Sequence, residues 1–174
     1  MSAPFNTIDL ATLALKPGEG RTIEAPVSPG ELSLGGQEYS FGAPDATIPV
    51  RLDVSRTATG HALRLRIEAE LEGPCMRCLT AASFPVAVDA REVHQPLAGD
   101  EELTSPYVID EELDVSGWAH DTLALALPQA LLCRPDCAGL CPECGISLNG
   151  IEPGEHVHER EPDPRWSKLR ELLD

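Results

Sequence analysis

From Leu63 to Leu71 the chain alternates without a break: Leu63, Leu65, Ile67, Ala69 and Leu71 interleave with Arg64, Arg66, Glu68, Glu70 and Glu72. Only an extended backbone has a side-chain period of two, so this stretch predicts a strand with one apolar and one charged face. A sheet wetted on one side is characteristically antiparallel. Ile48, Val50, Leu52 and Val54 show the same alternation, and it resumes at Phe84, Val86, Val88 and Ala90. The interruption, "GPCMRCLT", therefore places Cys75 and Cys78 at a turn between two strands.

The flanks are less regular. The N-terminal segment is rich in Gly and Pro, with brief apolar runs (Ile8, Leu10, Leu13, Leu15; Leu32, Leu34) that predict short or edge strands. Residues 116–127, "SGWAHDTLALAL", fit a helix with Ser116 as N-cap and Pro128 as stop, turning Trp118, Thr122, Leu123, Leu125 and Leu127 toward the sheet. A second helix is predicted in "DPRWSKLRELLD", with Asp163 as N-cap, Pro164 in the first turn and Trp166, Leu169, Leu172 and Leu173 at helical spacing.

The fold expected is α+β: an antiparallel β-sheet or partly open barrel, one or two packed helices, and a Cys-rich zinc-binding C-terminal segment. A length of 174 residues suits one core. Residues 1–132 are expected to form an antiparallel β-rich core with one helix, and residues 133–174 a zinc-binding knuckle segment and C-terminal helix packed on it as one domain.

The N-terminus, "MSAPFNTIDLATLALKPGEG", lacks a basic n-region and an apolar core of signal-peptide length. No stretch is long and apolar enough for a membrane helix. Both observations point to a cytoplasmic protein with reduced thiols and no membrane contact. A formal net charge of -16 argues against a general nucleic-acid binder, because neutralisation of phosphate by Lys and Arg drives such binding. Eight acids lie between Glu92 and Asp114 with no Lys or Arg, which reads as a solvated acidic flank. The segment from Pro49 to Arg91 is nearly neutral. Its Arg51, Arg64, Arg66 and Arg77 are candidates for phosphate contact, set against pairing with Glu68, Glu70 or Asp89.

Four of the six cysteines fall in "CRPDCAGLCPECGISLNG". In a reducing compartment this density points to metal or redox chemistry rather than disulfides. Cys141 and Cys144, three apart and followed by Gly145, suit two corners of a tetrahedral zinc site. Cys75 and Cys78 have the same spacing but Leu79 where a glycine would ease the turn. A thioredoxin-like redox pair belongs near a βαβ unit, and the flanks here are alternating strands.

Zinc takes four ligands per structural site, and His156 and His158 bring the ligand count to eight. The preferred division places Cys75, Cys78, Cys133 and Cys137 around one zinc, and Cys141, Cys144, His156 and His158 around a second. The alternative is a single ribbon of Cys75, Cys78, Cys141 and Cys144 that leaves Cys133 and Cys137 free. Neither division leaves an open coordination position, which favours structural zinc over hydrolysis. Arg77 and Arg134 are placed to offset thiolate charge. The sequence has no phosphate loop, nucleophile elbow or dinucleotide fingerprint. His61, His94 and His120 are isolated and read as surface or packing residues. No catalytic residue and no small-molecule substrate are expected.

The ordered set "CMRCLT", an acidic stretch, "LALALPQALLCRPDCAGLCPECGISLN" and "DPRWSKL" resembles the YceD family, the large ribosomal RNA subunit accumulation proteins. The resemblance runs from about Leu65 to Leu173. It rests on the first cysteine pair, Leu127 and Pro128, the "GLCPECG" knuckle with Asn149 beyond it, and Asp163, Pro164 and Arg165. Where many members carry Cys-x-Cys, this chain has His156, Val157 and His158, a swap that keeps two zinc ligands.

The resemblance implies a non-enzymatic role in ribosome biogenesis, in the accumulation of large-subunit rRNA. The expected partner is a ribosomal protein or the large-subunit rRNA precursor. Two further classes stay open: a redox-active dithiol protein, and a zinc-stabilised interaction module with an unrelated protein partner.

Overall fold

The computed structural model describes residues 6–42 and 47–158, so the helix expected over residues 163–174 lies outside the described residues. Among the described residues nine strands and one α-helix follow in chain order. They are β1 (Thr7–Asp9), β2 (Gly20–Val27), β3 (Leu32–Leu34), β4 (Gln37–Phe41), β5 (Ile48–Arg56), β6 (His61–Pro74), β7 (Ala81–His94), β8 (Val108–Ile109), β9 (Glu112–Asp114) and α1 (Val115–Leu125). The protein is α+β with antiparallel sheets.

The three alternating segments of the sequence are β5, β6 and β7. Strands β6 and β7 form a long hairpin in unbroken register from His61↔His94 to Pro74↔Ala81. The other edge of β6 is shared: β5 pairs with its first half, from Val50↔Ile67 to Arg56↔His61, and β4 meets its far end at Ser40↔Glu72 and Phe41↔Leu71. Strand β2 lines the outside of β5, and β3 the outside of β4.

The register puts Val50, Leu52 and Val54 beside Ile67, Leu65 and Leu63, all buried. Each such side chain removed from water stabilises the fold by about 1.5–3 kcal/mol. Helix α1 packs against β7, β1 and β2 and buries Val115, Trp118, Ala119 and Leu123. Trp118 stacks on Tyr107, with ring centroids 6.0 Å apart.

The opposite face of β5–β6–β7 carries the charges. Arg64 is held by both carboxylate oxygens of Asp89, at 2.7 and 2.6 Å, and Arg66 pairs with Asp53. Arg51 lies within 4.0 Å of Glu24. Three of the arginines considered for phosphate are thus engaged by acids on neighbouring strands. Asp89 is held below the usual carboxylate range by its bond from Arg64, and Asp53 by the hydroxyl of Thr22 together with Arg66 and Arg51.

Two expectations are corrected. Helix α1 begins two residues earlier than expected: Asp114 is the N-cap, accepting from the Gly117 amide at 2.8 Å, while the Ser116 hydroxyl donates to the Ser28 carbonyl. The helix ends at Leu125, whose side chain is 87% exposed rather than turned to the sheet, because it lies on the face opposite Leu123. The acidic stretch, read as one solvated flank, is folded. Two 3-10 turns and the β8–β9 hairpin bury Val108 and Leu113, and β9 pairs with β1 through Ile8↔Leu113. Its acids Asp100, Glu102, Asp110, Glu112 and Asp114 stay exposed.

His61 and His94 face each other across β6 and β7 and are buried, so they are packing residues. His61 accepts from the Arg56 guanidinium at 3.0 Å, and its other ring nitrogen is 3.8 Å from the Glu111 carboxylate. Burial and the Arg56 charge hold the His61 imidazole below its ordinary pKa.

Candidate metal centre

The turn from β6 to β7 is closed by three hydrogen bonds in which sequence and geometry agree. The Cys75 amide donates to the Thr80 carbonyl at 2.7 Å, the Leu79 amide to the Cys75 carbonyl at 2.9 Å, and the Arg77 amide to the Cys75 sulfur at 3.5 Å. The second knuckle repeats this geometry: the Gly145 amide donates to the Cys141 carbonyl at 2.9 Å. Both closing residues have left-handed backbones, Gly145 at φ 74° and Leu79 at φ 60°. A side chain there costs about 1–2 kcal/mol, so the first turn is built against local preference.

After α1 the chain returns to this turn. The Met76 amide donates to the Leu131 carbonyl at 2.9 Å, which lays residues 131–137 against the knuckle. Four thiols converge there: Cys75 Sγ is 3.8 Å from Cys137 Sγ, and Cys78 Sγ is 3.5 Å from Cys133 Sγ. In the second set Cys141 Sγ is 3.2 Å from His158 Nε2, Cys144 Sγ is 3.4 Å from His156 Nε2, and the two Nε2 atoms are 2.9 Å apart. Within each set the four ligand atoms lie within 4.8 Å of one another.

A tetrahedron of zinc–sulfur bonds about 2.3 Å long has edges of about 3.8 Å, and zinc–nitrogen bonds shorten them by a few tenths of an ångström. The sulfur separations match this, and the second set is slightly tighter. The donor chemistry, S₄ and S₂N₂, is that of sites that hold metal ions. The structure therefore groups all eight residues singled out by sequence, and Cys75 and Cys78 lie with Cys133 and Cys137, not with Cys141 and Cys144. The single-ribbon arrangement has no counterpart in this geometry. All six cysteines are free.

The surroundings of Cys75, Cys78 and Cys141 favour thiolate, and those of Cys133 the thiol. The Thr80 hydroxyl, 3.0 Å from Cys78 Sγ, and the Thr80 amide hold that thiol down at about 6. Cys141 is also held at about 6, by the amides of Cys144 and Glu143. Burial opposes ionisation of Cys75, but the amides of Arg77, Cys133 and Cys78 outweigh it and keep its pKa low. Thr80 pulls Cys133 down as well, yet the competing Cys78 and burial push it up to about 11.

The two arginines expected to offset thiolate charge have other partners. Arg77 donates to the Cys137 carbonyl at 2.9 Å, and Arg134 pairs with Asp136 at 3.3 Å. Three supporting residues escape a search for ligands by spacing. Thr80 bonds Cys78. Asn149 donates to Cys137 Sγ at 3.6 Å, and Glu143 lies 3.4 Å from His158 Nδ1, on the ring side away from the thiols. A carboxylate on the far nitrogen of an imidazole fixes the tautomer that leaves the near nitrogen free as a ligand. In sequence, only the position of Glu143 inside the knuckle could have pointed to it.

An antiparallel sheet whose central hairpin ends in one thiol cluster, followed by a Cys₂His₂ cluster, defines a β-sheet protein with paired thiolate knuckles. The chain belongs to the YceD family: the family model, "Large ribosomal RNA subunit accumulation protein YceD", matches residues 63–173. An uncharacterized protein of Mycobacterium tuberculosis is 35% identical over 173 residues, covering 96% of this chain and 81% of that protein. One of Mycobacterium leprae is 32% identical over 171 residues, covering 95% and 76%.

A maize protein named "Large ribosomal RNA subunit accumulation protein YCED homolog 1, chloroplastic" is 35% identical over 68 residues, covering 39% of this chain and 22% of that protein. No solved structure matches. Among the described residues no helix is long and apolar enough to cross a membrane.

Proposed function

We propose that this chain is a non-enzymatic, cytoplasmic ribosome-biogenesis factor that supports accumulation of large-subunit rRNA. It holds two structural zinc ions, one on Cys75, Cys78, Cys133 and Cys137 and the other on Cys141, Cys144, His156 and His158. The observation that carries this reading is that the family match over residues 63–173 contains both four-ligand clusters and the hairpin tip that carries Cys75 and Cys78. Zinc bound by four protein ligands supplies folding energy and has no position left for substrate. In this reading the metals order the segment after α1 into a rigid surface, and that surface, not a reaction, is the product of the fold.

The partner is a ribosomal protein or the rRNA precursor itself. Charge favours the protein: the net charge is -16, and Arg51, Arg64 and Arg66 are already paired with acids. The exposed acids between Asp100 and Asp114 would steer a basic ribosomal protein into contact. The test is deletion of the gene followed by measurement of large- to small-subunit rRNA. The ratio is expected to fall, to be restored by the wild-type chain, and not by a Cys75→Ser, Cys141→Ser double variant. An unchanged ratio on deletion would refute the reading, and crosslinking in the complemented cells identifies the partner.

A further inference from the structure

Asn149 lies between Cys144 and His156 in sequence, inside the loop that a metal on the second cluster would close, yet its side chain serves the first cluster. Its amide nitrogen donates to Cys137 Sγ at 3.6 Å. Its carbonyl oxygen accepts from the Ala138 amide at 2.8 Å and from the Arg134 guanidinium at 3.4 Å. One side chain therefore touches Cys137, a ligand of the first set, together with Ala138 after it and Arg134 three residues before it.

The backbone around Asn149 makes the same crossing. The Leu148 amide donates to the Gly139 carbonyl at 2.9 Å, and Leu140 and Ser147 form a bridge. Gly139, at φ 81°, runs against the first knuckle so closely that a β-carbon there would lie 3.2 Å from the Arg77 carbonyl. The strip 137–140 is thus held between the first knuckle on one side and residues 147–149 on the other.

We propose that Asn149 is a positioning residue that makes the two metal clusters interdependent. Closing the loop from Cys144 to His156 removes conformational freedom from residues 145–155, so Asn149 reaches Cys137 at a smaller entropic cost when the second cluster is filled. Its N–H···S bond holds the Cys137 sulfur in place, and its carbonyl fixes the strip that carries Cys137. By linkage, filling the first cluster favours the second by the same factor. This inference rests on the metal reading above, and the experiment separates the two.

Zn²⁺ is titrated into the full-length chain against a competing chelator, and Co²⁺ serves as the spectroscopic probe, because S₄ and S₂N₂ donor sets give different thiolate-to-cobalt bands. The wild-type chain is expected to bind two ions. Asn149→Ala is expected to weaken the S₄ site about 10- to 100-fold, the range for loss of an outer hydrogen bond to a ligand. His156→Ala with His158→Ala, which removes two ligands of the S₂N₂ site and none of the S₄ site, is expected to weaken the S₄ site by a similar factor. Asn149→Asp keeps the acceptor for Ala138 but lacks the N–H donor, so its S₄ band is expected to shift while the loop stays docked.

Binding of no metal by the wild-type chain overturns the metal reading and the coupling together. Two ions bound, with S₄ affinity in Asn149→Ala within about twofold of wild type, overturns the role of Asn149 alone. Weakening by Asn149→Ala but not by the double histidine variant overturns the coupling. A wild-type S₄ band in Asn149→Asp overturns the N–H···S contact. Amide exchange of β5 and β6 in each variant shows whether the sheet is still folded.

Discussion

The sheet and the segment after it are held together by different means. In β5 and the first half of β6 every second residue from Ile48 to Val54 and from Leu63 to Ile67 is a buried aliphatic, and the ladder from Val50↔Ile67 to Arg56↔His61 pairs the backbone. Between residues 132 and 158 the buried residues are Cys137, Gly139 and Cys141, and the only backbone ladder is the bridge Leu140↔Ser147. A strip with so little apolar surface removed from water cannot offset the entropy of ordering its chain. The sheet is a conventional hydrophobic core. In the proposed reading the strip takes its order from metal held by sulfur and imidazole, and the hairpin tip at Cys75–Thr80 is where the two meet.

Variants can break this contrast, and the largest effect is expected at the ligands. Cys137→Ser leaves three thiols on the first cluster and is expected to abolish metal there, since structural zinc contributes about 10–16 kcal/mol of apparent binding free energy. Metal content by mass spectrometry of the native protein checks this, with the second ion retained more weakly. Leu65→Ala, in the fully buried centre of β6, is expected to cost about 2–5 kcal/mol. Denaturant unfolding should show that loss in the sheet with metal stoichiometry unchanged in the folded state.

A pH effect sharpens the contrast from the sheet side. His61 has a lowered folded-state pKa, so the unfolded chain binds the proton more readily. Stability is then full above about 6.5, the ordinary imidazole value, and is lost as pH falls below it, by at most about 1.4 kcal/mol per pH unit. Comparison of wild type with His61→Gln isolates this slope from proton competition at the thiols. The smallest effect is at the helix cap: Asp114→Ala is expected to cost about 0.5–2 kcal/mol, read by thermal unfolding.

Strands β5, β6 and β7 were legible in the sequence because a half-buried strand writes its period into consecutive residues. The sheet of β1, β9 and β8 was not: its strands are two or three residues long, and Thr7 pairs with Asp114 across most of the chain. The cap of α1 was misplaced because Asp114 and Ser116 are both good N-caps, and Ser116 is drawn off by the Ser28 carbonyl. The eight chemistry-bearing residues stood out by type and spacing. Their grouping into two sets was left open, because two Cys-x-x-Cys units are locally alike and only the return of the chain to Met76 separates them. Asn149 stood out only as part of a motif, since its contact with Cys137 depends on how residues 137–149 fold back.

The most direct test of the contrast is amide hydrogen exchange of the full chain with and without a strong chelator. Protection at Cys75–Thr80 and residues 131–149 is expected to fall at least about 100-fold on metal removal, while Val50–Val54 and Leu63–Ile67 change less than about tenfold. Equal loss in both regions, or no loss in either, would contradict the account.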